Sequence, residues 1–225
     1  MKLKDIIALQ EEVERFVAEK RVQMEAIVND DIDSQVISTV SAFECMIDCE
    51  VLKERGIKVV YASSPITTGL LMYMEMERHG VHSLEELKVL KPDFMKDLMA
   101  RNIEDGKQFG REILSHKYPL IIVPGSFYNH NFTQQHYMGV WEPIVREKSD
   151  IVAFNTNFHY SNGCVQEFFI SLHAGKEMRS RDGFKVLNPK EEFSKIERAM
   201  THVCHITGST PAELHNWYQK IKGIL

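Results

Sequence analysis

Three short apolar runs constrain the fold of this chain more than any other feature. They are IKVVYAS at 57–63, LIIVPGS at 120–126 and DIVAFNTN at 150–157, and each is rich in β-branched residues. Stretches with helical character separate them, most clearly 70–79, 92–116 and 138–149. Buried strands that alternate with helices are typical of an α/β domain. The chain is therefore predicted to form a parallel sheet with helices on both faces.

The regions on either side of these runs are less strongly constrained. Apolar residues at three- and four-residue spacing predict a helix over about residues 3–28, and a second helix is predicted to end at Gly56. The segment KEMRSRDGFKVLN fits either a fourth strand or a hairpin around Asp182-Gly183, and Thr210-Pro211 opens a C-terminal helix. We expect a helical extension at 1–56 and an α/β nucleotide-processing domain at 57–225. The extension is expected to mediate a homodimer or higher homo-oligomer, or to cover a neighbour's pocket.

Composition narrows the class of protein. The 225 residues carry a net charge of −5, whereas proteins that bind nucleic acid or anionic membranes are usually basic. No apolar run approaches the ~20 residues of a membrane-spanning helix, and MKLKDIIALQEEVERF is charged throughout, unlike a secretory signal. We expect a soluble, cytoplasmic protein with no nucleic-acid partner and no membrane association.

Metal and cysteine chemistry are not favoured. The four cysteines form no CxxC pair, and the histidines of 127–137 and 158–160 form no HxH or HxxxH pair. We therefore expect no metal and no cofactor. A nucleophilic Cys164 would need a base such as His159, and the sequence does not place the two together.

The segments that follow the predicted strands carry the candidate site, because ligands of parallel sheets bind beyond the carboxyl ends of the strands. ASSPITTG ends the first strand and opens a helix. Its hydroxyl groups and the helix N-terminus can hold a phosphate, although an ordinary capped turn explains the same residues equally well. The candidates in this loop are Ser63, Ser64, Thr67, Thr68 and Gly69.

Aromatic residues crowd the second of these segments, FYNHNFTQQHYMGVW at 127–141. Aromatic rings beside a pocket can stack on a flat base, and local packing of the segment is the alternative.

The third segment, YSNGCVQE, places a carboxylate near the start of a helix. If the helix begins near Gly163, Glu167 lies about one turn in and points back toward the strand ends. A carboxylate held there can trap an oxocarbenium-like carbon. The alternative is a solvated carboxylate that the helix dipole favours.

Four motifs in this order resemble the nucleoside 2-deoxyribosyltransferase superfamily and its nucleotide N-glycosidase relatives. The matching stretches are YASSPITTG, SDIVAF, YSNGCVQE and the trailing HAGK, which together span about residues 57–178. The resemblance implies a flavodoxin-like, or Rossmann-like, parallel sheet. It also implies that Glu167 is a nucleophile that displaces a nucleobase from C1′ of the sugar.

The same resemblance indicates the substrate. Relatives that use free nucleosides usually carry Asp six residues before the Glu, whereas relatives that hydrolyse 5′-monophosphates carry Ser, and this chain has Ser161. Ser161, Gly163 and the 63–69 loop would then contact the phosphate. A further acidic residue of the family has no counterpart in SFYNHNFTQQH, where the expected substitute is Asn129, His130 or Asn131. The aromatic residues expected to line the pocket are Tyr61, Phe158 and Tyr160.

The predicted function is thus hydrolysis of the N-glycosidic bond of a nucleoside 5′-monophosphate. One alternative is a transferase that exchanges bases on deoxyribose. The other is a module that binds nucleotides without turnover.

Overall fold

The computed structural model describes Arg15, residues 32–47, Glu54, and residues 56–118, 120–127 and 132–225. The helix predicted over residues 3–28 lies outside this part of the chain except at Arg15. Three of the predicted site residues, Asn129, His130 and Asn131, also lie outside it.

The centre of the fold is a four-stranded sheet. Its strands are β1 (Val59–Ser63), β2 (Leu120–Ile122), β3 (Ile151–Phe154) and β4 (Glu177–Ser180). Their order is β2-β1-β3-β4, and every neighbouring pair is parallel. The prediction of an α/β fold with a parallel sheet is therefore confirmed.

The open choice at KEMRSRDGFKVLN is resolved in favour of a strand. β4 pairs with β3 in register Ile151↔Glu177 through Phe154↔Ser180. Gly183 then adopts a left-handed backbone with φ 63°, and the chain returns so that Val186 forms an isolated antiparallel bridge with Arg179. The chain therefore does turn tightly around Asp182-Gly183, as the hairpin alternative requires. The turn is followed by a single bridge and not by a second strand, so no full hairpin forms.

Eight α-helices have both of their ends in the described part of the chain. In order they are α1 (Ile32–Ile47), α2 (Leu70–His79), α3 (Leu84–Leu90), α4 (Phe94–Ser115), α5 (Gln134–Pro143), α6 (Asn162–His173), α7 (Pro189–Thr207) and α8 (Ala212–Lys222). None of the described helices is long and apolar enough to cross a bilayer.

Two of these helices were not anticipated from the sequence. α3 begins after Ser83, whose side chain caps the helix by accepting from the Glu86 N–H. α7 begins after Asn188, whose side chain accepts from the Lys190 N–H, and it ends at the left-handed Gly208. Both helices therefore carry ordinary cap signals.

Pro143 decides how α5 ends. The α-helix stops at Pro143, and residues Ile144–Lys148 continue as one π-helical turn. The proline lacks an N–H and displaces the preceding turn, so the hydrogen-bond pattern widens there.

Both faces of the sheet are buried. Val59 and Tyr61 face the larger core, whereas Val60 and Ala62 face a second core with Phe109 of α4. This explains why the strands read as continuous apolar runs and do not alternate with polar residues.

The described part of the N-terminal region packs directly on this body. Phe43 and Ile47 of α1 are buried in the larger core. The Phe43 ring lies 5.2 Å from the Phe127 ring and 5.3 Å from the Trp141 ring. The division of the chain near residue 56 and the homo-oligomer stay predictions.

Candidate active site

Glu167 is the centre of the candidate site. It lies in the second turn of α6, at the carboxyl ends of β1 and β3, and only 6% of its surface is exposed. Cβ atoms of a helix tilt toward its N-terminus, so the side chain points to the strand ends. Glu167 is therefore not the solvated surface carboxylate of the alternative interpretation.

Two hydroxyl groups of β1 hold the Glu167 carboxylate. The Tyr61 Oη donates to Oε1 at 2.5 Å, and the Ser63 Oγ donates to Oε2 at 2.5 Å. Tyr61 and Ser63 are two positions apart on a strand, so they point to the same face of the sheet. Both are fully buried. Each carboxylate oxygen thus has its own donor, which fixes the plane of the group.

Burial controls the charge of this carboxylate. Loss of water raises the pKa of Glu167 to about 7, although the hydrogen bonds from Ser63 and Tyr61 act in the opposite direction. The Tyr61 pKa is raised by burial and by the nearby carboxylate, so Tyr61 remains a donor. Glu167 is consequently poised between its neutral and charged forms near neutral pH, as expected of a catalytic carboxyl group.

Cys164 lines the same cleft but is not activated. Burial, together with the charge of Glu167, raises the pKa of its thiol to about 12. His159, the base that a nucleophilic cysteine would need, instead pairs with Glu192 at 2.6 Å. A neutral thiol with no base is a poor nucleophile, and this favours Glu167 as the reactive group.

The cleft above Glu167 is about 540 Å³, counted out to its open mouth. The loop after β1 and the start of α6 contribute mainly small hydroxyl residues, and α5 contributes most of the larger residues. Its polar members include Ser64, Thr67, Thr68, Gln134 and Ser161, and its larger apolar and aromatic members include Ile66, Tyr137, Met138 and Trp141.

Ser161 occupies the N-cap position of α6 without capping the helix. Its side chain makes no capping hydrogen bond. Its hydroxyl lies 3.5 Å from that of Thr68 and close to the Cys164 thiol. The first N–H groups of a helix lack intrahelical partners, so hydroxyl groups beside them form an environment suited to an anion.

Gly163 allows the two walls of the cleft to approach each other. A Cβ on Gly163 would lie 3.1 Å from Nε2 of Gln134, at the first turn of α5. The start of α6 and the start of α5 therefore meet at this glycine.

The structure brings together most of the residues predicted from the sequence. Glu167, Ser64, Thr67, Thr68, Ser161 and Gly163 line the cleft, and Tyr61 and Ser63 contact Glu167 from below. Gly69 immediately precedes α2 and is not part of the lining.

Two predicted aromatic residues lie away from the cleft. Phe158 is buried among Phe154 and Phe168, with ring centroids at 4.6 and 5.8 Å. Tyr160 packs against Tyr73, and its hydroxyl pairs with His202 Nδ1 at 3.1 Å. The Phe158 ring therefore packs in the core, and the Tyr160 ring packs between α2 and α7.

The aromatic wall comes from α5, where the sequence allowed either stacking or local packing. Tyr137 and Trp141 line the cleft, whereas Phe127 and Phe132 are buried in the core. The signal for this wall was the spacing i, i+3, i+4, i+7 of Gln134, Tyr137, Met138 and Trp141. It was missed because the helix was predicted to begin at Met138, whereas Thr133 caps it.

Within the described ranges, no group of three or more His, Cys, Asp or Glu side chains is arranged to hold a metal ion.

No protein-family model, curated protein or solved structure matches this chain, and the family resemblance of its motifs stays a prediction.

Proposed function

We propose that this protein hydrolyses the N-glycosidic bond of a nucleoside 5′-monophosphate, releasing the base and (deoxy)ribose 5-phosphate. The observation that carries the proposal is Glu167, a buried carboxylate at the base of a cleft, with a hydroxyl donor at 2.5 Å on each oxygen. A fixed carboxylate beneath an open cleft is well suited to attack a carbon that develops positive charge.

The proposed reaction has two steps. The ionised Glu167 carboxylate forms a bond to C1′ of the sugar while the C1′–N bond breaks. The bonding electron pair leaves with the base, which takes a proton from water. A second water then forms a bond to C1′ while the bond between C1′ and the Glu167 oxygen breaks, and its proton goes to the hydroxide left by the first step. This releases the sugar phosphate, regenerates the Glu167 carboxylate and consumes one water overall. Tyr61 and Ser63 orient the carboxylate in both steps.

The charge and shape of the cleft support a monophosphate as substrate. Glu167 is the single acidic residue in the described lining, so a phosphate group meets little repulsion away from the reaction centre. The hydroxyls of Ser161 and Thr68, beside the N-terminus of α6, would donate to phosphate oxygens. The rings of Trp141 and Tyr137 offer a flat apolar wall for the base. We place this activity in a soluble, cytoplasmic homo-oligomer that binds a small-molecule nucleotide.

The experiment is a screen of ribo- and deoxyribonucleoside 5′-monophosphates, with free base and sugar phosphate measured together. We expect equal amounts of the two products from at least one substrate. Transfer of the sugar to a second added base would favour the transferase. Tight nucleotide binding without base release would favour the non-catalytic module. If no monophosphate is cleaved or bound, the proposal is wrong.

A further inference from the structure

We infer that Asn155 is a positioning residue that aims the Ser64 hydroxyl into the cleft as a hydrogen-bond donor, and that Asp105 and Arg181 hold Asn155 for this task. The identity of the acceptor, an oxygen of the substrate, rests on the proposed function. The geometry of the four side chains does not.

Asn155 directly follows β3 and is 2% exposed. Its Nδ2 donates to Ser64 Oγ at 3.2 Å and to Asp105 Oδ2 at 2.7 Å. Its Oδ1 accepts from the Thr156 N–H at 2.7 Å and from Arg181 Nη1 at 2.9 Å. Both donors and both acceptor positions of the amide are therefore occupied.

These partners leave the amide a single orientation. A flipped amide would place its NH₂ group against two donors, the Thr156 N–H and the Arg181 guanidinium. It would also place its oxygen against the Asp105 carboxylate. Because both contacts would be repulsive, Asn155 presents an N–H to Ser64.

The consequence falls on the Ser64 hydroxyl. A serine hydroxyl has one hydrogen to donate, and its oxygen already accepts from Asn155. Ser64 also lines the cleft. Within the described part of the chain, no protein acceptor pairs with its hydroxyl hydrogen. Asn155 thus makes the hydroxyl a donor, and the cleft is where an acceptor can meet it.

Helix α4 forms the support on which Ser64 rests. A Cβ on Gly106 would lie 3.3 Å from the Ser64 Cβ and 3.4 Å from its Oγ, so this close approach depends on glycine. One turn earlier, Asn102 Nδ2 donates to the Ile66 carbonyl at 2.9 Å. α4 therefore contacts the loop after β1 at Ser64 and at Ile66.

An ion-pair cluster around Arg181 holds Asn155 on the side away from Ser64. Arg181 donates to Asp105 Oδ1 at 2.6 Å and to both oxygens of Glu112 at 2.7 Å. These carboxylates raise the pKa of Arg181 further, so it is always charged. Asp105 is half exposed, yet it is held between Arg181 and Asn155. Such a network orients Asn155 more firmly than one contact would.

A double-mutant cycle of Ser64→Ala and Asn155→Ala tests the inference, read as kcat and KM on the monophosphate that is cleaved best. We expect each single change to lower kcat/KM about fivefold to tenfold, mainly through KM. The double variant should be no worse than Ser64→Ala alone, because Asn155 acts through Ser64. Losses that multiply would overturn the inference. Where Asn155→Ala does not fold, Asp105→Ala at its half-exposed site replaces it in the same cycle.

Ser149→Ala is the matched control. Its hydroxyl is also buried and donates to the Val145 carbonyl at 2.8 Å, at the opposite end of the sheet. We expect this variant to lower Tm without changing KM. If it raises KM as much as Asn155→Ala does, the KM effect reports general destabilisation and the inference is wrong.

Crystal structures without ligand provide a test that is independent of turnover. In Asn155→Ala or Asp105→Ala, Ser64 Oγ should leave the position that it holds in the unaltered protein. An unmoved Ser64 would overturn the inference even if the protein cleaves nucleotides. Absence of base release by the unaltered protein would overturn the proposed function, and the structures would still decide whether Asn155 positions Ser64.

Discussion

The Tyr61 hydroxyl donates a 2.5 Å hydrogen bond to Glu167 across 106 positions of sequence, from the central strand β1 to helix α6. Ser63, on the same face of the strand, donates to the other oxygen. Burial favours the neutral form of the carboxyl group, whereas these donors favour the charged form. The outcome is a carboxylate fixed in direction and able to ionise near neutral pH.

Replacement of Glu167 by Gln should abolish base release. Gln preserves the volume of the side chain but cannot form a covalent bond to C1′, so we expect kcat to fall by at least ~10³-fold. Binding of the monophosphate, measured by calorimetry, should remain within about threefold. Ser171→Ala is the control for disturbance of α6. It removes a buried hydroxyl that donates a hydrogen bond to the backbone carbonyl of Glu167. Near-normal turnover by Glu167→Gln would contradict the assignment.

The stability of the protein should fall as pH rises through the titration of Glu167. Folding raises the Glu167 pKa from its ordinary value of 4.5 to about 7, so the folded state keeps a proton that the unfolded chain has lost. The stabilisation that comes from keeping this proton is fully present below the Glu167 pKa of the unfolded chain. It is lost as pH rises through the Glu167 pKa of the folded protein. Between about pH 5 and about pH 8 the loss is on the order of 2–3 kcal/mol.

Urea unfolding of the unaltered protein and of Glu167→Gln, compared at the two pH values, measures this loss. Gln does not titrate, so the free energy of unfolding of the unaltered protein should decrease relative to that of the variant as pH rises. A difference that is constant with pH would show that the Glu167 pKa is not raised by folding.

Tyr61→Phe should shift the pH dependence of the reaction. The change removes one hydrogen bond to the charged carboxylate, worth ~1.5–3 kcal/mol, but leaves a ring of the same shape. The Glu167 pKa should therefore rise, and the acid limb of kcat/KM against pH should move up by roughly one to two pH units. Ser63→Ala removes the equivalent bond on the other oxygen and should move the limb in the same direction. Limbs that stay in place in both variants would contradict the roles of these hydroxyls.

Ser161→Asp should select against the phosphate. Ser161 is 4% exposed and lies beside Thr68 in the cleft, so a carboxylate there would repel a phosphate dianion. We expect activity on a nucleoside 5′-monophosphate to fall at least ~10-fold, mainly through KM, and activity on the free nucleoside to fall much less. Ser161→Ala removes the hydroxyl without adding charge, so its activity on the monophosphate should lie between that of the unaltered protein and that of Ser161→Asp. Equal losses on both substrates would mean that Ser161 does not contact the phosphate.

Phe43→Ala should destabilise the protein and weaken substrate binding together. Phe43 of α1 packs edge-on against Phe127 and Trp141, and Trp141 lines the cleft. Truncation of a buried Phe costs ~3–5 kcal/mol, and the Trp141 ring would lose its support. Ile37 lies on the same helix but is 66% exposed, so Ile37→Ala should change the unfolding free energy by less than ~0.5 kcal/mol. Urea unfolding and KM measure the two effects, and equal results for both variants would contradict the role of α1.

The strands were predictable because their signal is local. A strand buried on both faces must be apolar at successive positions, so 57–63, 120–126 and 150–157 identified β1, β2 and β3 without knowledge of their neighbours. Only tertiary structure decided that Glu177–Ser180 pairs with β3, since EMRS is polar and occupies the sheet edge. The cap residues Ser83 and Asn188 are local signals that mark where α3 and α7 begin. The apolar positions of these two helices did not lead to a prediction of either helix.

The loops of the site followed from the same local signals. Once the strands were located, the carboxyl-end rule indicated the segments that contain Glu167, Ser64 and Ser161. The sequence did not predict which aromatic rings face the cleft. Trp141 and Phe158 both lie in segments that follow strands, and nothing local distinguishes a ring that lines a cleft from one that packs in the core. Their positions depend on how α5 and the turn before α6 pack.

The environment of each polar side chain in the candidate site was decided by tertiary structure alone. The Glu167 carboxylate obtains its raised pKa from burial and its orientation from Tyr61, which is distant in sequence. Asn155 reaches Ser64 because β1 and β3 are adjacent strands, and it reaches Asp105 because α4 covers that face of the sheet. Hydrogen bonds form between whichever polar groups the packing of apolar surfaces brings within about 3 Å. A local pattern of residues therefore predicts the elements and the candidate nucleophile, whereas its pKa and partners depend on contacts between segments that lie far apart in the chain.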